Sequence, residues 1–88
     1  MNKDREQIRR VQTPKELGQA LREYRKSRRL TQDTAASLSN VSTNFLSDFE
    51  NGKPTSEIGK VLSTLNTLGI ELYLAPRGVI DAKIKDGK

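Results

Sequence analysis

The sequence has no cysteine and no histidine. Disulfides are therefore excluded, and zinc, haem and iron–sulfur centres lose the ligands they ordinarily need. A cysteine nucleophile and a histidine base are excluded as well. No metal or cofactor is expected, and no other residues cluster as an enzyme site. Tryptophan is absent, and only two Phe and two Tyr occur in 88 residues. A chain of this length makes one small domain and buries only about 60–65% of its unfolded surface. Small cores often lean on a disulfide, a metal or a second subunit. With the first two removed, oligomerisation is the natural stabiliser. No apolar run approaches the ~18 residues of a membrane span. Met1 to Arg10 lacks the apolar stretch of a secretory signal. The expectation is a cytoplasmic protein without membrane contact.

Charge is plentiful and uneven. Lys plus Arg is 16 against 11 Asp plus Glu, giving +5 and a pI near 9.8. Residues 1–30 carry ten basic and four acidic side chains, a net +6, whereas residues 31–88 carry six and seven, a net −1. A basic balance favours polyanionic partners. Such a partner is expected to meet the first third of the chain or a surface that it helps to build.

The punctuation predicts four helices. Thr13-Pro14-Lys15-Glu16 is a helix start with a capping residue, Pro at the first helical position and a capping-box Glu. Leu17, Ala20, Leu21 and Tyr24 then form one apolar stripe, and the helix is expected to end near Arg28 or Arg29. Thr31 caps a short second helix to Leu38, with Ala35 and Ala36 apolar. Asn40 tolerates the positive φ of a tight turn. Ser42 caps a third helix that buries Phe45, Leu46 and Phe49, and Asn51-Gly52-Lys53-Pro54 stops it. Ser56 is the expected cap of a fourth helix with Ile58, Val61, Leu62, Leu65 and Leu68 at core spacing. Gly69 closes it in the left-handed conformation.

The period then changes. Ile70, Leu72 and Leu74 alternate with Glu71 and Tyr73, the pattern of a strand, and Ala75-Pro76 ends it. A lone strand leaves its backbone groups unpaired. Inside the chain only Ile8 to Val11 or Val79 to Ile80 are available, and both are poor candidates. The same strand of a second copy is the better partner, because a two-fold axis makes it self-complementary. Ile70, Leu72, Tyr73 and Leu74 are thus the expected dimerisation residues. The division is a polar segment at 1–12, a helical domain at 13–69, a dimerisation strand at 70–76 and a flexible tail at 77–88.

The second and third helices, joined by a short turn, have the form of a helix-turn-helix. Ala36 supplies the small residue where the helices cross, and Val41, Leu46 and Phe49 anchor the third helix. Leu30-Thr31-Gln32 through Ala36, Val41-Ser42, Phe45-Leu46-Ser47 and Glu50-Asn51-Gly52-Lys53-Pro54 resemble the Xre/Cro-type DNA-binding domain. The stretch from Phe45 through Gly69 to Leu74 is similar to its HipB-like antitoxin branch. Two positions depart from the family pattern: Asn40 stands where Gly is usual at the turn, and Ala35 where Leu is usual.

The resemblance implies an all-α, lambda-repressor-like fold of four to five helices, with one C-terminal β-strand that pairs across a homodimer. It also implies double-stranded DNA with a palindromic operator as ligand, a HipA-like kinase toxin as partner, and repression of the chain's own operon. Thr43, Asn44 and Ser47 fall on the exposed N-terminal side of the reading helix. Asn reads adenine bidentately, and Ser and Thr are adaptable. Asp48 on the same helix either accepts from cytosine N4 or lies off the groove. Gln32 resembles the family glutamine that contacts phosphate and buttresses the reading helix. Lys53, with Asn51 and the backbone N–H groups around Gly52, is implied to meet phosphate. Arg25 and Glu50 resemble a family ion pair whose Arg also holds phosphate through its fork. Arg28 is counted with the phosphate contacts, and Arg29 adds to the field. Two further readings stay open: a solitary regulator of the same fold, and a protein-interaction module that has lost DNA binding.

Overall fold

The computed structural model describes residues 8–79, so the polar segment before Ile8 and the tail beyond Val79 lie outside the described residues. Four helices lie among those described: α1 is Pro14–Ser27, α2 is Gln32–Leu38, α3 is Thr43–Glu50 and α4 is Ile58–Thr67. None is long and apolar enough to cross a membrane.

Three starts follow the sequence. Thr13 Oγ1 accepts from the Glu16 N–H at 3.1 Å, Thr31 Oγ1 from the Thr34 N–H at 3.1 Å, and Ser42 Oγ from the Phe45 N–H at 2.9 Å. Each bond satisfies one of the otherwise orphaned amides of a first turn. The Glu16 carboxylate reaches back to the Gln12 N–H at 2.6 Å, one residue earlier than a standard capping box would have it. The fourth start differs from expectation. The N-cap of α4 is Glu57, which makes no side-chain cap bond. Ser56 instead donates its hydroxyl to the Lys53 carbonyl at 3.2 Å and closes the loop after α3.

All four helices end alike. The second residue past each cap donates its N–H five residues back: Leu30 to Arg25 O, Val41 to Ala36 O, Lys53 to Asp48 O and Ile70 to Leu65 O, at 2.8–3.1 Å. The residue between takes a left-handed φ, in turn Arg29 (60°), Asn40 (58°), Gly52 (84°) and Gly69 (87°). This is the Schellman arrangement. Asn40 does what its sequence position promised. Arg29 occupies a conformation that usually selects Gly.

The buried core is Leu21, Ala35, Ala36, Leu46, Phe49, Val61, Leu65 and Leu68, with Leu17, Leu30, Val41, Phe45 and Ile70 packed around it. Helix α3 packs against both α1 and α2. Gly18 permits the approach of α1. A Cβ there would overlap the Phe49 carbonyl oxygen and come within 2.8 Å of that of Glu50.

One expectation of burial is corrected. Ile58 and Leu62, read as core, are 66% and 47% exposed. Ile58 and Leu62 lie on the outer side of α4, while Val61, Thr64 and Leu65, with Leu68 just past the helix end, are covered. Residues 70–76 form no strand with any segment of the same chain among the described residues. A strand requires a ladder partner, and neither Ile8 to Val11 nor Val79 lies beside this segment in one. Leu72, Tyr73 and Leu74 are exposed, Leu74 completely so. The segment borders a groove of about 360 Å³ lined by Leu62, Leu65, Asn66, Ile70, Glu71, Leu72 and Tyr73.

Candidate nucleic-acid interface

The site begins with a buried knot. Arg25 of α1 donates from Nε to Glu50 Oε2 at 2.6 Å and from Nη2 to Glu50 Oε1 at 2.9 Å. Its third nitrogen, Nη1, donates to the Leu30 carbonyl at 2.6 Å. Gln32 Nε2 of α2 donates to Glu50 Oε1 at 3.0 Å. The Arg25 and Glu50 side chains are 7% and 1% exposed. One carboxylate at the end of α3 therefore fastens α1, the α1–α2 corner and α2. A planar guanidinium fork suits this bidentate grip, and a lysine would not reproduce it.

The knot decides several roles. Arg25 was expected to hold phosphate as well as Glu50. Its guanidinium instead lies inside, occupied by Glu50 and the Leu30 carbonyl. Gln32 is half-buried and buttresses the end of α3 through Glu50. The loop after α3 also needs correction. The backbone N–H groups of Asn51, Gly52 and Lys53 donate inward to Ser47 O, Phe49 O and Asp48 O at 3.0 Å each. They are not free for phosphate, which leaves the exposed Asn51 carboxamide and the Lys53 ammonium.

On α3 itself Thr43, Asn44 and Asp48 are exposed and Ser47 is half-buried. Thr43 donates its hydroxyl to Asp33 Oδ1 at 2.9 Å, tying the start of α3 to the first turn of α2. Asp48 faces Lys53 at 3.6 Å, both about half exposed, so the acid on this helix has a cation beside it. Phe45 and Phe49 turn the other way and meet edge to face, centroids 6.2 Å apart. The helix thus splits into an aromatic inner face and a short polar outer face.

Three neighbours escaped the sequence reading. Lys15 lies against Gly52, since a Cβ on that glycine would meet the Lys15 Cα at 2.7 Å. Asp33 restrains Thr43. Gly18 sets how closely α1 crosses the end of α3. Only Lys15 left a signal, as a basic residue in the first turn of α1. Arg28 does not join the others: its guanidinium stacks on the Tyr24 ring at 4.9 Å. Beyond α3, Gln19 and then Arg9 hydrogen-bond the Glu23 carboxylate and hold it below the ordinary carboxylate range.

Two helices at a close crossing, the second with a polar outer face and a capped start, define a helix-turn-helix unit. Residues 16–72, well over half of the chain, match the family described as the helix-turn-helix domain. An uncharacterized HTH-type transcriptional regulator, y4mF, from Sinorhizobium fredii (strain NBRC 101917 / NGR234) is 46% identical over 68 residues, covering 76% of this chain and 90% of that protein. The chain belongs to the helix-turn-helix family. Among solved structures, the HipB–O4 20mer complex matches with TM-score 0.74 and 20% identity, over 80% of this chain and 99% of that one. The MDT protein gives the same TM-score, identity and coverage. At this identity the likeness is one of fold.

Proposed function

We propose that this helix-turn-helix regulator is a homodimeric, sequence-specific DNA-binding repressor. The observation that carries this reading is the exposed Thr43–Asn44–Asp48 face of α3, held in place by the buried Glu50 knot. A helix so fixed presents side chains to base edges without first having to be ordered. Lys53 and Asn51 flank it, and Lys15 lies beside Gly52, so phosphate can be met on the same side. The relative y4mF, described as a transcriptional regulator, supports the regulatory role.

The dimer is proposed from the C-terminal segment. Leu72, Tyr73 and Leu74 are exposed beside the apolar groove on α4. Antiparallel pairing with the same segment of a second copy would satisfy its backbone and cover these side chains. Two reading helices would then address two half-sites of a palindrome in successive major grooves. The finer assignment, an antitoxin of a HipA-like kinase that represses its own operon, is supported by the fold shared with HipB. A solitary regulator is the second reading, favoured by the plain description of y4mF.

Footprinting upstream of the chain's own gene tests the proposal. A protected palindrome is expected. Asn44→Ala should weaken binding to it by about 1–3 kcal/mol and leave random duplex nearly unaffected. Equal losses on both would remove Asn44 from base reading. Co-purification with a co-expressed HipA-like kinase separates the antitoxin from the solitary regulator.

A further inference from the structure

Arg29 stands apart from the residues at the other three helix ends. Its φ of 60° is shared with Asn40, Gly52 and Gly69, residue types that tolerate that region. An L-residue with a long side chain ordinarily avoids it. The strain sits at an exposed position, and no hydrogen bond or ion pair of the Arg29 side chain occurs among the described residues. Its neighbour Arg28 is engaged, stacked on Tyr24. Glycine would relieve the strain and still close the Schellman turn, so the fold alone gives no reason for arginine here. Strain kept at an exposed charge points to a use for that charge.

Position gives the use. Arg29 immediately precedes Leu30, whose carbonyl is bound by Arg25, and Arg25 grips Glu50 at the end of α3. The α1–α2 corner is thereby pinned against the C-terminal end of α3. Lys26, exposed and one turn earlier, is a second cation at the same end of α1. We propose that Arg29 is a phosphate ligand of the DNA backbone, placed at this corner at the expense of a relaxed turn, and that it takes the part the sequence suggested for Arg28. The proposal rests on the DNA-binding reading above and assigns a contact within it.

The test compares Arg29→Gly, Arg29→Asn and Arg29→Lys in the full chain, on operator and on random duplex across a salt series. Arg29→Gly and Arg29→Asn should unfold at a higher temperature than the parent. Both should lose roughly three- to tenfold in affinity for operator and random duplex alike, with the slope of log K against log salt reduced by about one. Arg29→Lys should keep the parent's slope. Unchanged affinity and slope in Arg29→Gly, while Asn44→Ala still loses the operator, would overturn this contact alone. A parent chain that binds no duplex at any salt would overturn the DNA-binding reading and this contact with it. A loss confined to the operator would make Arg29 a base reader and also overturn the proposal.

Discussion

Glu50 is the residue on which three helices depend. With its side chain 1% exposed and that of Arg25 7% exposed, removing either leaves the other charge buried without its counter-ion. Glu50→Ala is expected to cost about 3–5 kcal/mol, against ~0–1 kcal/mol for an exposed pair. Arg25→Ala with Glu50→Ala should recover part of the loss, and urea unfolding of the four members of the cycle measures it. Additive losses would show that the pair is not coupled. Folded Glu50→Ala protein should bind operator and random duplex less well alike, because it loosens the whole of α3 rather than one base contact. Tyr73 offers a residue-scale test by pH. Its hydroxyl donates to Glu71 Oε1 at 2.6 Å, and that bond, helped by the carboxylate charge, raises its pKa above the ordinary 10.0. A raised value means that the contact's contribution is complete below pH 10 and disappears as pH climbs through the shifted pKa. In an absorbance titration, Glu71→Gln should bring the Tyr73 midpoint down. An unmoved midpoint would remove this contact from solution.

Helix elements carry the next level. The α1–α3 crossing is set by Gly18, where any side chain meets backbone oxygens that cannot rotate away. Gly18→Ala should therefore destabilise by about 1–3 kcal/mol, although alanine is the better helix former. Thermal unfolding checks the sign, and a stabilised variant would mean that the helices stand further apart. This residue also shows where sequence reading stops. Thr13, Thr31 and Ser42 could be read as caps because capping is local: one side chain meets an amide three residues on. Asn40 and the Asn51-Gly52 stop were legible for the same reason. The Arg25–Glu50 pair was reachable only through resemblance, being 25 residues apart. Gly18 was not legible, since a glycine inside a helix looks the same whether or not another backbone lies against it. Ile58 and Leu62 kept the helical period, but period cannot say how far the core extends along α4. Ser56 was a sound cap by type, yet the Lys53 carbonyl captured its hydroxyl. The engagement of Arg28 with Tyr24, and of the loop amides with α3 carbonyls, depended on side-chain and turn geometry that spacing does not carry.

At the scale of the whole molecule, a basic chain carries two acids, Asp33 and Asp48, on or beside α3, each with a partner of its own. The second whole-molecule feature is the uncovered segment after α4. Leu72→Pro removes a backbone donor that no hydrogen bond uses among the described residues, so the helical unit should keep its circular dichroism. In a ladder the same change deletes a rung and fixes φ, and the variant should sediment as a monomer. A variant that remains a dimer of native stability would overturn pairing through this segment. If the two-fold partner is held chiefly by these few exposed side chains, its grip is modest and dimers fall apart on dilution. Operator occupancy then follows the square of the chain's concentration, and halving the supply lowers it about fourfold. The regulator would thereby respond steeply to its own dosage without any ligand to sense.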